Sequence, residues 1–477
     1  MKTAFRICTA LGIVLLAACA PREILLPAVG LTPYRLADFP PGYTPPLSSE
    51  TGQPMPGFGG AGPLDHTPVI FIHGNTVSAR YWLPARRYFK TQGFQDAGLW
   101  SLGYGWDNVR YFDSADLSVP SVERMVQSVT QQIAKDTGKP VDQVDIISHS
   151  LGVTLARQWM KQTNSWHKVR NFIGVCGAND GVWTADSFSR GQNRGVAFEL
   201  APGSPWLKQL RDGGDTPGPT RYMTLYDGTG RGDVLFPPPY ENSSALEGAN
   251  NLAFNVVHGS YLDHLELPRV PETMDAMIEW MRQAPEPSRS AMPPALVRQG
   301  ELLRAEPPDA QVFCEKGGAY PTSRTAAAAA VTLEAGVLTT CFARQAATGL
   351  ASPMSRYKRG DKPLAAGKLT VTADRPANSY ENPISVALTA SEPEAFIVYT
   401  TSGTKPNSGS PLYTAPVYVA GPLRLTAVAI APDGSQSAPL VLDYDISLEL
   451  IEAERTLQRQ FDSDTPSNYE GKRKKGR

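Results

Sequence analysis

Val144-Asp-Ile-Ile-Ser-His-Ser-Leu-Gly152 is the stretch of this 477-residue chain that decides its fold. Its first half has the apolar composition of a buried strand, and the residues after Gly152 follow a helical pattern. A strand, a tight turn with a central serine and a helix together form the sharp turn that presents a serine nucleophile. Ser148 and Gly152 are small enough to flank this turn. The turn would lift the Ser150 hydroxyl above the sheet edge and direct the backbone N–H of Leu151 towards a developing oxyanion.

A nucleophilic serine needs a histidine base, and the histidine needs an acid that orients it. The chain has six histidines, and the order serine, acid, histidine that accompanies this turn leaves two late candidates, His258 and His264. We expect the acid in the loop after the predicted strand 221–226, where both Asp227 and Asp233 lie. Asp227 precedes a glycine and fits the start of a turn. Asp233 is therefore the favoured acid, with Asp227 as the alternative.

The second donor of an oxyanion hole is expected in the loop after an early strand. That loop reads His73-Gly-Asn-Thr76 and follows the apolar run 69–72. Gly74 allows a sharp turn, after which the N–H of Asn75 can face the N–H of Leu151. Each of two converging N–H donors lowers the activation free energy of acyl transfer by about 3 kcal/mol. His73 itself is expected to be a positioned loop side chain and not a base.

Strands alternate with helices over residues 65–282, which predicts an α/β fold with a mostly parallel sheet and helices on both faces. The expected strands lie at 69–72, 144–147, 172–176, 221–226 and 254–257, and the expected helices at 81–92, 119–137, 153–160 and 272–282.

The rest of the chain divides by composition. Residues 283–308 are Pro-rich and are expected to be a linker. Residues 309–367 form an intermediate segment with two strand-like runs, and residues 368–446 have the short strands and turns of an all-β sandwich. Residues 447–477 are predicted to be a helix followed by a basic tail.

The N-terminus is typical of a bacterial export signal. Basic residues are followed by an apolar run too short to span a membrane, and the run ends in Leu16-Ala-Ala-Cys19. This order resembles a lipobox, which implies a signal peptide at 1–18 and a lipid anchor on Cys19. Ala20, in place of an aspartate, implies the outer membrane. Residues 19–64 are rich in Pro and Gly and are expected to be a tether, and no other run predicts a transmembrane helix.

Charge and cysteine content limit the classes of partner and site. The chain has 45 basic and 46 acidic residues, a balance that gives no electrostatic basis for nucleic-acid binding. Of the five cysteines, Cys314 and Cys341 lie in one segment, and we expect a disulfide between them in an oxidising compartment. Cys176 lies in an apolar run and is expected to be a buried thiol. No zinc-type spacing occurs, so no metal or other cofactor is expected, and the sequence carries no signal for an oligomeric state.

A family resemblance is carried by the stretches 69–75, 84–94, 144–153, 169–173 and 177–181. Together they resemble the class 2 bacterial lipases, and more specifically an extracellular polyhydroxybutyrate depolymerase related to those lipases. The resemblance covers residues 65–282. It implies an α/β-hydrolase that cleaves esters with Ser150, Asp233 and His264 as catalytic triad and with Asn75 and Leu151 as oxyanion donors. In the last loop of those lipases an earlier histidine precedes the catalytic one, which favours His264 over His258.

Stretches 397–406, 411–416 and 423–429 of the predicted sandwich resemble the small β domain at the C-terminus of chitobiases and hexosaminidases. The domain contains no catalytic constellation, and the resemblance implies substrate docking or spacing without implying a sugar substrate. Because the candidate triad lies before the linker, we expect removal of the chain from residue 368 onward to spare hydrolysis of small soluble esters. The alternative is that residues 368–446 pack on the hydrolase and complete its acyl site.

These features predict a lipase or carboxylesterase anchored at the outer membrane, with an ester substrate and the membrane as its partners. A polyester depolymerase is the second hypothesis. A catalytically inactive surface-binding lipoprotein is the third, and the intact order of the triad residues argues against it. The long stretch 181–220 carries Trp183, Phe188, Phe198 and Trp206, and it is either an apolar acyl site or an ordered loop with its own small core.

Overall fold

The computed structural model describes residues 57, 59–60 and 63–446, apart from 76, 78, 105–113, 184, 186–194, 229–232, 234, 238, 255–262 and 361–368. Several sequence predictions therefore lie outside the described residues. They are the signal peptide and Cys19, nearly all of the tether, Phe188, His258, and the C-terminal helix and tail.

A six-stranded parallel sheet forms the centre of the first region. Its strands are β1 Val69–Ile72, β2 Leu99–Leu102, β3 Val144–His149, β4 Val169–Val175, β5 Arg221–Asp227 and β6 Asn250–Phe254. Their order across the sheet is β2-β1-β3-β4-β5-β6, with every neighbouring pair parallel. All six carboxyl ends therefore lie at one edge, and the loops that carry the candidate site residues leave from that edge.

The helices of this region are α1 Leu83–Thr91, α2 Val119–Thr137, α3 Leu151–Thr163, α4 Gly195–Glu199, α5 Pro205–Arg211, α6 Asp263–Glu266 and α7 Pro271–Arg282. Helix α1 packs against α7, and α2 packs against α3. Every residue of the central strands β1, β3 and β4 is buried, as in a parallel sheet covered on both faces. None of the helices in the described part of the chain combines the length and apolar character needed to cross a membrane.

The predicted α/β fold class is confirmed, with local differences. Of the expected strand 254–257 only Phe254 is described; it ends β6 Asn250–Phe254, a partly exposed edge strand that starts with two polar residues. Strand β2 was not predicted from the sequence, because its four residues include Ser101 and are too few to establish a pattern.

The predicted linker 283–308 is wrong in both halves. Its second half is a hairpin of β7 Ala295–Gln299 and β8 Leu302–Glu306, turned at Gly300, whose φ is +61°. Its first half is fixed to the first region, since Glu286 pairs with Arg170 at 2.6 Å. The prolines flank the hairpin and lie outside its strands, so a Pro-rich composition did not exclude strand pairing.

The intermediate segment continues with β9 Gln311–Lys316, β10 Ala327–Ala328, β11 Ala330–Thr332, β12 Leu338–Arg344 and β13 Ser355–Lys358. These strands form antiparallel sheets of order β10-β9-β12-β13 and β11-β8-β7. Cys314 and Cys341 lie directly opposite each other on β9 and β12 and are joined by a disulfide. Phe313 and Phe342 belong to the same hydrophobic core as the parallel sheet, so this segment is packed on the first region.

The last region, called the β-module below, covers residues 371–446. Its strands are β14 Val371–Ala373, β15 Ser379–Tyr380, β16 Ile384–Val386, β17 Leu388–Ala390, β18 Phe396–Thr400, β19 Val417–Val419, β20 Leu423–Ile430 and β21 Leu440–Ile446. The main sheet has the order β15-β21-β20-β18, and two short antiparallel pairs, β14-β17 and β16-β19, complete the module. The module has a hydrophobic core of its own, which includes Val386, Val417 and Leu425.

The β-module also packs on the first region, at the end of α3 and beside α4 and α5. Hydrogen bonds across the contact include Thr401 N to Gln162 Oε1 at 2.7 Å, Asn164 Nδ2 to Asn407 Oδ1 at 3.0 Å, Gly195 N to Ala420 O at 3.0 Å and Gln209 Nε2 to Pro416 O at 3.2 Å. The contact agrees with one part of the alternative expectation, the packing of residues 368–446 on the first region.

Candidate active site

Ser150 occupies the turn between β3 and α3 with φ 54° and ψ −126°. This left-handed backbone is costly for a residue other than glycine, and such strain is typical of functional turns. Gly152 is required by close packing, because a Cβ there would collide with the backbone oxygens of His73 and Ile72. Ser148 is fully buried and donates its hydroxyl to the Ile173 carbonyl at 3.3 Å. The structure therefore has the strand, turn and helix that the sequence predicted.

Ser150, His264 and Asp233 form a continuous hydrogen-bonded chain. The Ser150 hydroxyl lies 3.0 Å from His264 Nε2, and His264 Nδ1 lies 2.8 Å from Asp233 Oδ2. With Nδ1–H donating to the carboxylate, Nε2 is left to accept the serine proton. The side chains of His264 and Asp233 are 9% and 3% exposed, so the pair is shielded from water.

The two candidate aspartates have different positions. Asp233 faces His264 and also accepts the Leu235 N–H at 3.0 Å through its other oxygen. Asp227 is the last residue of β5, and its Oδ2 accepts the backbone N–H of Asp233 at 3.2 Å. Asp227 therefore supports the loop on which the acid lies, and Asp233 is the aspartate that reaches the histidine.

The candidate oxyanion donors come from the loop after β1 and from the start of α3. A Cβ on Gly74 would lie 2.8 Å from the Ser150 Cβ, so the loop approaches the serine as closely as a glycine permits. Asn75 follows Gly74 directly, and its side-chain Oδ1 is buried with no hydrogen-bond partner in the described part of the chain. Leu151 is the first residue of α3, where N–H groups lack intrahelical partners and the helix dipole favours negative charge. Both donors thus belong to segments that adjoin Ser150.

Cys176 is the residue at the site whose position the sequence did not indicate. It follows β4 with a left-handed φ of 49° and is fully buried, as expected for its thiol. Its sulfur, an Asp233 carboxylate oxygen and a His264 ring nitrogen lie within 4.8 Å of one another. Among the described residues these three could supply donor atoms to a metal ion, but the hydrogen bonds to Ser150 and between His264 and Asp233 already use two of them.

Two further histidines flank the site. His73 is buried, lies with its Nδ1 2.7 Å from the Gly74 carbonyl and stacks on Tyr104 at 4.3 Å between ring centroids. Burial lowers the pKa of His73 to about 4, so it is a neutral loop residue, in agreement with the sequence-based expectation. His149 is 1% exposed, and burial lowers its pKa well below the ordinary value of 6.5. Its contact with the His264 backbone was not predicted, although His149 lies inside the motif itself.

The described aromatic side chains of 181–220, those of Trp183, Phe198 and Trp206, do not form one apolar site. Trp206 is buried in the hydrolase core, and Trp183 is 47% exposed. Phe198 lies 5.9 Å from the Tyr418 ring of the β-module, measured between ring centroids. This stretch, so far as it is described, includes the ordered helices α4 and α5, and part of its apolar surface is used to bind the β-module.

Two segments of the chain match models of known protein families. Residues 66–204 match the family model Lipase (class 2), a match that includes Ser150 and ends before Asp233 and His264, and residues 375–440 match the chitobiase/beta-hexosaminidase C-terminal domain. Among solved structures, the mature form of a Bacillus licheniformis lipase is 18% identical, with a TM-score of 0.36, and covers 47% of this chain and 96% of its own.

Two further similar structures are a phospholipase of Legionella pneumophila and an esterase of Pyrobaculum calidifontis. The phospholipase is 16% identical, with a TM-score of 0.30, and covers 54% of this chain and 74% of its own. The esterase is 13% identical, with a TM-score of 0.33, and covers 49% of this chain and 79% of its own. On an α/β-hydrolase fold, the chain thus joins a segment similar to class 2 lipases to one similar to the chitobiase C-terminal domain, which indicates a hydrolase of ester substrates.

Proposed function

We propose that this chain is a serine carboxylic-ester hydrolase, a lipase or esterase, that works through an acyl-enzyme on Ser150. The observation that carries the proposal is the hydrogen-bonded chain from Ser150 through His264 to Asp233. An inactive binding protein has no need for this arrangement on a strained turn, so the proposal is favoured over that hypothesis.

In the proposed reaction the Ser150 oxygen attacks the ester carbonyl while His264 Nε2 takes the hydroxyl proton. Asp233 holds the imidazole in the required tautomer and stabilises the imidazolium. The negative charge on the tetrahedral oxygen faces the backbone N–H groups of Leu151 and Asn75. Collapse of the intermediate releases the alcohol, which receives its proton from His264. Water activated by the same histidine then hydrolyses the acyl-enzyme.

Hydrolysis of p-nitrophenyl esters by the purified protein tests this proposal. Ser150→Ala should lower kcat by about 10⁴- to 10⁶-fold, because the nucleophile is lost while the fold remains. Ser290→Ala, an exposed serine between the hydrolase and the hairpin, is the matched control and should keep wild-type activity. Activity in a pure, folded Ser150→Ala sample equal to that of the control would refute the proposed mechanism.

The same assay with different esters determines the substrate class. A polyester depolymerase is the second candidate, since it uses the same chemistry on a polymer. Parallel assays on short esters, triglycerides and polyhydroxybutyrate granules distinguish the two, and we expect triglycerides or short esters to be the better substrates.

We further propose that the protein is exported and anchored to the outer membrane through a lipid on Cys19. Support comes from the lipobox-like order of residues before Cys19, and the Cys314–Cys341 disulfide agrees with an oxidising compartment. Cys19→Ser should move the protein from the membrane fraction to the soluble fraction. Membrane attachment that persists in Cys19→Ser cells would contradict lipid anchoring.

A further inference from the structure

The catalytic histidine must keep its ring aligned between a serine and an aspartate, yet it lies on α6, a helix of four residues. Two hydrogen bonds from other elements hold its main chain. His149 Nε2 lies 2.8 Å from the carbonyl oxygen of His264, and the Tyr81 hydroxyl donates to the next carbonyl, that of Leu265, at 2.7 Å. Side chains from outside the short helix therefore hold two of its consecutive carbonyl groups, those of His264 and Leu265.

The two donors also support each other. The rings of Tyr81 and His149 are stacked, with centroids 5.0 Å apart and an interplanar angle of 27°. The guanidinium of Arg269 lies 5.7 Å from the centre of the Tyr81 ring, and the rings of His149 and His264 are 4.7 Å apart. Because His149 directly precedes Ser150, this stack ties the position of the base to the strand that carries the nucleophile.

The geometry also fixes the protonation of His149. A carbonyl oxygen only accepts hydrogen bonds, so Nε2 of His149 must carry the proton. The opposite nitrogen, Nδ1, is buried without a hydrogen-bond partner among the described residues and lies where a Cβ on Gly74 would approach to 2.8 Å. Burial also lowers the pKa of His149, so its side chain is a neutral N–H donor that faces the histidine on which positive charge develops during the proposed reaction.

We propose that His149 and Tyr81 form a positioning pair that holds the main chain of His264 and thereby sets the distance between His264 Nε2 and the Ser150 hydroxyl. This inference rests on the proposed function. Neither residue touches the reacting atoms, so the pair acts through His264 and affects the chemical step, not substrate binding.

Tyr81→Phe is the sharpest test, because it removes one hydroxyl and keeps the stacked ring. We expect kcat for a p-nitrophenyl ester to fall by about 10- to 100-fold, the range typical of a misplacement of about 1 Å, while KM and the melting temperature change little. Tyr88→Phe is the matched control, since it removes a tyrosine hydrogen bond to Asp275 on the protein surface. The control should keep the wild-type kcat.

His149→Leu and His149→Gln test the donor itself. His149→Leu removes the N–H and should lower kcat at least as much as Tyr81→Phe does. His149→Gln keeps an N–H at a similar distance from the backbone and should recover part of the kcat that His149→Leu loses. A purely structural role of the ring predicts no such recovery. Wild-type kcat in folded Tyr81→Phe and His149→Leu would overturn the inference and leave the proposed function intact. An inactive wild-type enzyme would instead refute the proposed function.

Discussion

Two aspartates six residues apart have different tasks at the acid loop. Asp233 contacts His264, and Asp227 at the end of β5 accepts the backbone N–H of Asp233. In the proposed reaction the Asp233 carboxylate stabilises the imidazolium of His264, whereas the Asp227 carboxylate supports the loop that carries Asp233. Replacement of each residue by its amide therefore gives a matched pair of variants.

Asp233→Asn should lower kcat by about 10⁴-fold, since the amide favours the wrong tautomer of His264. Asp227→Asn keeps a side-chain oxygen that can accept the Asp233 N–H, so its kcat should stay within about tenfold of the wild type. Steady-state kinetics on one soluble ester measures both. Equal losses, or a larger loss in Asp227→Asn, would show that the acid is assigned to the wrong residue.

For single residues, the sequence predicted the sharp turn at Ser150, because such a turn restricts which residues can flank it. The preference for Asp233 over Asp227 drew on turn chemistry and a resemblance, and the reason for it is visible only in the path of the loop. The hydrogen bond of Tyr81 to Leu265 and the position of Cys176 beside Asp233 and His264 left no signal, since both depend on contacts between distant segments.

Among the elements, long and regular patterns were predictable and short ones were not. Helix α2 Val119–Thr137 has the bounds that its pattern predicted, over more than five turns. Helices α4 and α5 have five and seven residues, too few to establish a helical period. The hairpin β7–β8 was obscured because prolines surround it, although they lie outside its paired strands.

The testable prediction for the secondary-structure elements concerns the disulfide between β9 and β12. It closes a loop with a sequence separation of 27, which corresponds to about 3–4 kcal/mol of stabilisation in the chain-entropy account. The double variant Cys314→Ala/Cys341→Ala should be less stable by roughly that amount in denaturant unfolding. A reductant should destabilise the wild type and leave the double variant unchanged. Two alkylatable thiols at these positions in the native exported protein would contradict the bridge.

At the scale of the whole molecule, the first region, the intermediate segment and the β-module pack against one another through shared hydrophobic cores. The intermediate segment contributes Tyr320 and Met354 to the core of the hydrolase, and Leu338 of that segment packs with Phe396 and Val398 of the β-module. The sequence predicted the separate regions from composition. It could not predict their packing, because contacts such as Gln162 with Thr401 join residues 239 apart.

Removal of the chain from residue 368 onward should therefore destabilise the hydrolase, contrary to the expectation from sequence alone. Each of the lost interface hydrogen bonds is worth about 1 kcal/mol, and apolar surface is exposed in addition. We expect a lower melting temperature and reduced activity on small soluble esters. Arg424→Ala, which breaks an exposed ion pair with Asp443 within the β-module, is the control and should change neither. A truncated protein with wild-type melting temperature and activity would show that the β-module is dispensable.

Covalent labelling with a p-nitrophenyl phosphonate ester tests the central claim most directly. The reagent should add one phosphonyl group per chain and abolish esterase activity in proportion, and peptide mass spectrometry should place the group on Ser150. Ser150→Ala should take up none, and Asp233→Asn should react far more slowly. A stoichiometric adduct on another residue, or full inactivation without an adduct on Ser150, would contradict the account.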